Sequence, residues 1–134
     1  MYLLDTNICV HFMKGEYNIP SKIKEVGFQN CYISEITILE IMYGVANSSS
    51  AKMNENYIRL AEFEASFFDR IISIRHAFKT FAGEKARLRK LGTPISDFDL
   101  LIGCSALVQR LTLASRNVKE MSRIEGLVVE NWIM

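Results

Sequence analysis

The sequence predicts an α/β fold, a central parallel sheet of about five short strands with helices on both faces. Two observations lead there. Short apolar runs alternate with helix-patterned segments along the whole chain, and each run is too short to bury itself without layers above and below it. Composition agrees: 134 residues, 49% hydrophobic and 23% charged, describe a globular chain rather than a disordered one. A single domain over residues 1–134 is expected, and at this size it buries roughly 68% of its unfolded surface.

The elements follow in order. Tyr2–Leu4 is an apolar run and the first strand. Ile8, Phe12 and Met13 then recur at helical spacing, with Asp5, Thr6 or Asn7 available as the cap. A second helix over Ile19–Val26 is framed by Pro20 near its start and Gly27 after it. Cys31–Ile33 is the second strand, and Ser34 can cap a helix running to about Tyr43–Gly44. Asn47–Asn56 is polar and serine-rich, a loop or a helix start. Met53–Phe68 carries a broad apolar helical face, and Arg70–Ile74 is a third strand. His76–Lys90 is helical and closes at Leu91, Gly92 and Pro94. A further helix spans Asp97–Arg110, with Gly103 and Ala106 small enough to let the face they share with Asp99 approach the sheet closely. Leu111–Ala114 is the fourth strand, Val118–Met121 a short helix and Leu127–Val129 the fifth strand.

In sheets of this kind ligands bind beyond the carboxyl ends of the strands, and the sequence puts acids there. Three signatures each set a carboxylate among apolar neighbours: Leu3–Asn7 around Asp5, Ile38–Gly44 around Glu40 and Thr93–Ile102 around Asp97 and Asp99. Carboxylates are seldom buried without a partner, and converging ones repel unless a cation holds them. A hard divalent ion, Mg²⁺ or Mn²⁺, suits such a set. Simpler roles compete at each position. Asp5 can be a plain helix cap, and Glu40 can sit on a narrow exposed stripe. Glu35 is a rival acid, although a first-turn position already explains it. Asp97 and Asp99 lie on roughly opposite helix faces, and the small residues beside Asp99 favour it as the cleft acid. Thr6, Asn7, Ser115 and Asn117 supply hydroxyl and amide groups to the same edge, as turns, caps or supports for a metal.

The remaining chemistry is sparse. Cys9, Cys31 and Cys104 form neither a zinc spacing nor an even disulfide set, and read as small buried residues of a reducing cytoplasm. His11 and His76 belong to no motif. No apolar run approaches the roughly 20 residues of a membrane span, and Asp5 stands too early for a secretory signal. The net charge of +1 says little by itself about nucleic acid. Lys79, Lys85, Arg87, Arg89 and Lys90 nevertheless gather on one helix, and Arg116 stands beside Asn117, so Lys85, Arg87, Arg89 and Arg116 are candidate RNA contacts.

Taken together, Leu3–Asn7, Leu39–Gly44, Gly92–Ile95 running into Asp99–Ile102, Asn117–Glu120, Ile124–Leu127 and Glu130–Trp132 resemble the PIN-domain ribonucleases, end to end. Among them they resemble the VapC-type toxins of bacterial toxin–antitoxin pairs. The resemblance implies a sheet in order 3-2-1-4-5 and Mg²⁺- or Mn²⁺-dependent cutting of RNA, with Asp5, Glu40 and Asp99 as the metal-binding catalytic acids. Asp5 and Asp99 are expected to touch the ion and Glu40 to act through water. It further implies transfer RNA as substrate, a cognate antitoxin whose amphipathic helix occupies an apolar groove, and a homodimer. Two departures stand out. Ser96 and Asp97 replace the family's usual Gly and its Pro or Asn, so Asp97 adds a charge beside the site. Asn117, at the variable fourth position, adds none, so one cation is expected rather than two. Other functions fit less well. An aspartyl-phosphate enzyme wants a second acid where Asn7 stands, no glycine-rich phosphate loop is present, and nothing reads DNA. A non-catalytic RNA-binding or scaffold protein on the same fold has no need of three costly acids.

Overall fold

A computed structural model describes residues 1–133. The strands are β1 (Tyr2–Leu4), β2 (Cys31–Ser34), β3 (Ile71–Ile72), β4 (Thr112–Ala114) and β5 (Val129–Glu130). The helices are α1 (Thr6–Lys14), α2 (Ile19–Val26), α3 (Glu35–Ala46), α4 (Ser50–Ser66), α5 (Phe78–Lys90), α6 (Asp97–Val108) and α7 (Val118–Met121). The strands form a sheet in the order β3-β2-β1-β4-β5, and every pairing is parallel, as expected. Tyr2 lies opposite Cys31 on one side and Thr112 on the other, which centres β1 in the sheet.

Alternation along the strands divides the core into two layers. Leu3 and Leu113 face one cluster, with Leu88, Leu100, Ile102, Met121 and Ile124 from α5, α6 and the chain around α7. Leu4 and Ala114 face the other, with Ile8, Ile19, Ile23, Phe63 and Phe67 from α1, α2 and the α4 end. Residues next to each other in a strand point to opposite faces, so a sheet apolar on both sides needs helices on both sides. Cys9, Cys31 and Cys104 are free and buried, and burial pushes the Cys31 and Cys104 thiols up to about 11 and about 12. They behave as small apolar residues.

Of the three candidates for the first cap Asp5 is the one used, and Ser34 caps α3 as expected. Asp5 Oδ1 accepts from the Ile8 amide at 2.9 Å, and Ser34 Oγ from the Ile36 amide at 3.1 Å. Several boundaries differ. α3 runs on to Ala46 and α4 starts at Ser50, so most of the serine-rich stretch is helix. The third strand is only Ile71–Ile72, because the Ile74 amide donates to Glu35 at 2.8 Å and the chain turns into a 3-10 helix at Arg75–Ala77. The fourth strand begins at Thr112 rather than Leu111. The fifth lies at Val129–Glu130 rather than Leu127–Val129, since the Leu127 amide still bonds back to Ile124. Gly103 does mark a close approach, but the nearest neighbour is not the sheet: a Cβ there would overlap Ile124 Cδ1.

Candidate active site

The central strand delivers Asp5 to the carboxyl edge of the sheet, where it is 7% exposed. Its amide donates to Ala114 at 3.1 Å, which ties it to β4, and its side chain takes a hydrogen bond from the Ser115 hydroxyl just beyond that strand. Ser115 is buried and is itself held by the Asn117 amide at 3.0 Å. Asn117 completes the turn by donating from Nδ2 to Glu120 at 3.1 Å. Ser115 and Asn117, named from the sequence as supports, therefore form one bonded turn against Asp5.

Burial pushes the Asp5 carboxyl above its ordinary range. Hydrogen bonds from Ser115 and the Ile8 amide pull it back, and the charges of Asp99 and Glu40 push it up again. Asp99 and Glu40 thus both act on Asp5 through space. Asp99, half-buried in the first turn of α6, is the acid felt by Asp5, whereas Asp97 is exposed and pairs with Lys85 at 2.9 Å. Likewise Glu35 turns outward to the Ile74 amide and the Ser73 hydroxyl, and Glu40 faces inward. Thr6 donates to Glu40 at 2.6 Å and shares a 3.0 Å hydrogen bond with the fully buried Thr37. Asn7 is exposed one residue further along α1.

Thr37 was not singled out from the sequence, and neither was the wall of the cleft beyond Glu40. A groove of about 960 Å³ runs from Thr6 and Glu40 between α1, α3 and α4, with Asn56, Arg59 and Glu62 on its far side. The signal for those three existed: they recur every three residues inside the apolar face of α4.

The candidate RNA contacts fall into two groups. Lys85 is half exposed, and Arg89 and Arg116 are exposed. Arg87 is bound within the fold: it bonds both oxygens of Glu84, at 3.0 and 2.6 Å, and the Arg123 carbonyl at 2.6 Å. Its guanidinium holds the Glu84 carboxyl below the usual range and so also serves as a structural clamp. His11 pairs with Glu16 at 2.9 Å and His76 is exposed.

Among the described residues, no three of His, Cys, Asp and Glu stand close enough to form a ready metal cage. The donors are nonetheless all hard oxygens, and the mutual repulsion at buried Asp5 is what a divalent cation relieves. Mg²⁺ keeps several of its waters and takes few direct protein ligands, which matches acids that act on Asp5 without converging on it.

A profile of the PIN domain matches residues 2–127, and the chain belongs to the PIN-domain family. Its relatives there carry the VapC name. It is 32% identical to ribonuclease VapC2 of Rickettsia felis, with 98% of each chain covered. It is 30% identical to the tRNA(fMet)-specific endonuclease VapC of Shigella flexneri, with 98% of this chain and 97% of that one covered. Among solved structures, VapBC2 from Rickettsia felis bound to a DNA fragment from its promoter superposes with a TM-score of 0.86 at 30% identity, over 98% of each chain. DNA-bound VapBC from Salmonella typhimurium superposes at 0.87 with 26% identity, over 98% and 97%.

Proposed function

We propose that this protein is a metal-dependent endoribonuclease toxin that cuts transfer RNA and is silenced by an antitoxin. The observation that carries the reading is Asp5, an almost fully buried carboxylate at the central strand's end whose charge is opposed by Asp99 and Glu40. Asp5 and Asp99 would hold one Mg²⁺ or Mn²⁺ directly and Glu40 would hold it through water. The bound ion supplies charge relief at the phosphate and a more acidic water. The chain's own groups do the rest. Ser115 fixes the Asp5 carboxylate, Thr6 orients Glu40, and Arg116 offers a cation to the RNA backbone at the same edge. His11 is held by Glu16 and His76 is exposed, and the reading assigns the chemistry to the carboxylates.

The antitoxin reading draws on the groove between α1, α3 and α4, whose volume of about 960 Å³ suits an amphipathic helix, and on relatives solved as VapBC complexes. Leu39, Met42 and Tyr43 on α3 remain exposed, and a homodimer contact there would cover them. No helix among the described residues is long and apolar enough to cross a membrane.

Incubating the purified protein with bulk bacterial tRNA, in Mg²⁺, Mn²⁺ or EDTA, tests the proposal beside Asp5→Asn and Asp99→Asn. Cleavage only with metal, lost in both variants, supports it. Cutting in EDTA, or full activity in both variants, overturns it, and mapping the new ends names the target.

A further inference from the structure

Tyr17 occupies a position that neither core requires. Its φ of 56° lies in the left-handed region, followed at once by Asn18 at 57°. Asn tolerates that region, but a tyrosine rarely adopts it. The ring belongs to neither apolar cluster and is 53% exposed. Strain held without burial in return points to use rather than packing.

Its surroundings say what the use is. The His11 ring meets Tyr17 edge-on, 4.6 Å between centres at 79°, and is itself fixed by Glu16. From the other partner, the Arg116 guanidinium carbon lies 5.9 Å from the Tyr17 ring centre. Arg116 is exposed, and no carboxylate pairs with it among the described residues. It directly follows Ser115, whose hydroxyl holds Asp5. An oriented aromatic ring and an exposed cation therefore stand together, and the cation follows in the chain the serine that touches Asp5. An unpaired base stacks on such a ring, while a guanidinium takes the neighbouring phosphate.

We propose that Tyr17 and Arg116 form an RNA subsite beside the catalytic acids, Tyr17 stacking one unpaired base and Arg116 holding its phosphate. The subsite selects a single-stranded loop over a duplex, because only an unpaired base can reach the ring. This rests on reading the acids as a ribonuclease centre.

Two measurements separate the outcomes: steady-state cleavage of bulk bacterial tRNA in Mg²⁺, and anisotropy binding of a labelled oligouridylate against a labelled RNA duplex. Tyr17→Ala raises KM and weakens oligouridylate binding, each about tenfold, and leaves duplex binding unchanged. Tyr17→Phe and Tyr17→Trp stay near wild type. Arg116→Ala lowers the slope of log affinity against log salt by about one. Tyr17→Gly relaxes the left-handed backbone, so it melts no lower than wild type yet still binds poorly, which excludes misfolding as the cause. If Tyr17→Ala and Tyr17→Gly match wild type in both measurements, the subsite is overturned and the ribonuclease reading stands. If the wild type cuts nothing but these variants still bind oligouridylate poorly, the ribonuclease reading falls and Tyr17 and Arg116 remain as an RNA-binding site alone.

Discussion

Thr6 reaches across 34 residues of chain to place its hydroxyl 2.6 Å from Glu40. The contact joins the first turn of α1, started by Asp5, to the second turn of α3. One acid's helix thereby sets the aim of another's side chain. Thr6→Val keeps the shape and removes that donor. Cleavage is expected to fall about 10- to 100-fold at fixed Mg²⁺, the usual effect of losing a ligand's support, with KM for RNA unchanged. A metal titration of initial rates checks it; unchanged half-saturation by metal would show that Thr6 does not position Glu40.

Asp5 links stability to pH. Its carboxyl titrates higher in the fold than its ordinary 3.8, so folding favours the protonated form. The destabilising contribution is absent well below 3.8, grows as pH rises through the folded pKa and is complete above it. In EDTA at pH 7, Asp5→Asn should melt a few degrees higher than wild type, since the amide oxygen can still cap Ile8. The two should converge near pH 3.5, and Mg²⁺ should stabilise only the wild type. Melting curves at both pH values decide it, and equal midpoints at pH 7 would count against the buried repulsion.

Arg87 and Arg89 sit two residues apart and are expected to separate cleanly. Arg87→Ala removes the clamp on Glu84 and the Arg123 carbonyl, and lowers the melting temperature while leaving the salt dependence of RNA binding intact. Arg89→Ala does the reverse. Parallel thermal melts and salt-dependent binding curves test the pair; a flattened salt slope in Arg87→Ala would return that residue to the RNA surface.

Gly103→Ala forces a methyl group against Ile124, which is 1% exposed and has little room to yield. Overpacking of this kind costs about 1–3 kcal/mol, readable as a lower urea midpoint with unchanged slope. A midpoint equal to wild type would mean that the turn after α7 adjusts freely.

Where local chemistry dictates structure, the sequence was enough. Pro20 and Gly27 bound α2 at the residues expected, and Ser34 caps α3. It was insufficient where a distant partner decides. Ile74 leaves the sheet because Glu35 claims its amide, and no local pattern announces that. The site shows the same split. Asp5 was legible as a strand-end carboxylate, but local spacing left Glu35 beside Glu40, and it took the resemblance to select Glu40. The separating facts are spatial: Glu35 faces Ile74 and Glu40 faces Thr6. The positive cluster on α5 likewise does not reveal which member is bonded within the fold: Arg87 holds Glu84, three residues behind it.

The placement of β1 at the centre of the sheet also orders events in time. Asp5 lies near the start of the chain, but its amide needs Ala114 and its carboxylate needs Ser115. A ribosome must therefore have made most of the protein before the acid pocket can close, and pairings between such distant segments form slowly. A nascent chain lacks the assembled centre until synthesis is nearly finished. For a VapC-type ribonuclease, late assembly withholds the acid centre until the chain is almost complete.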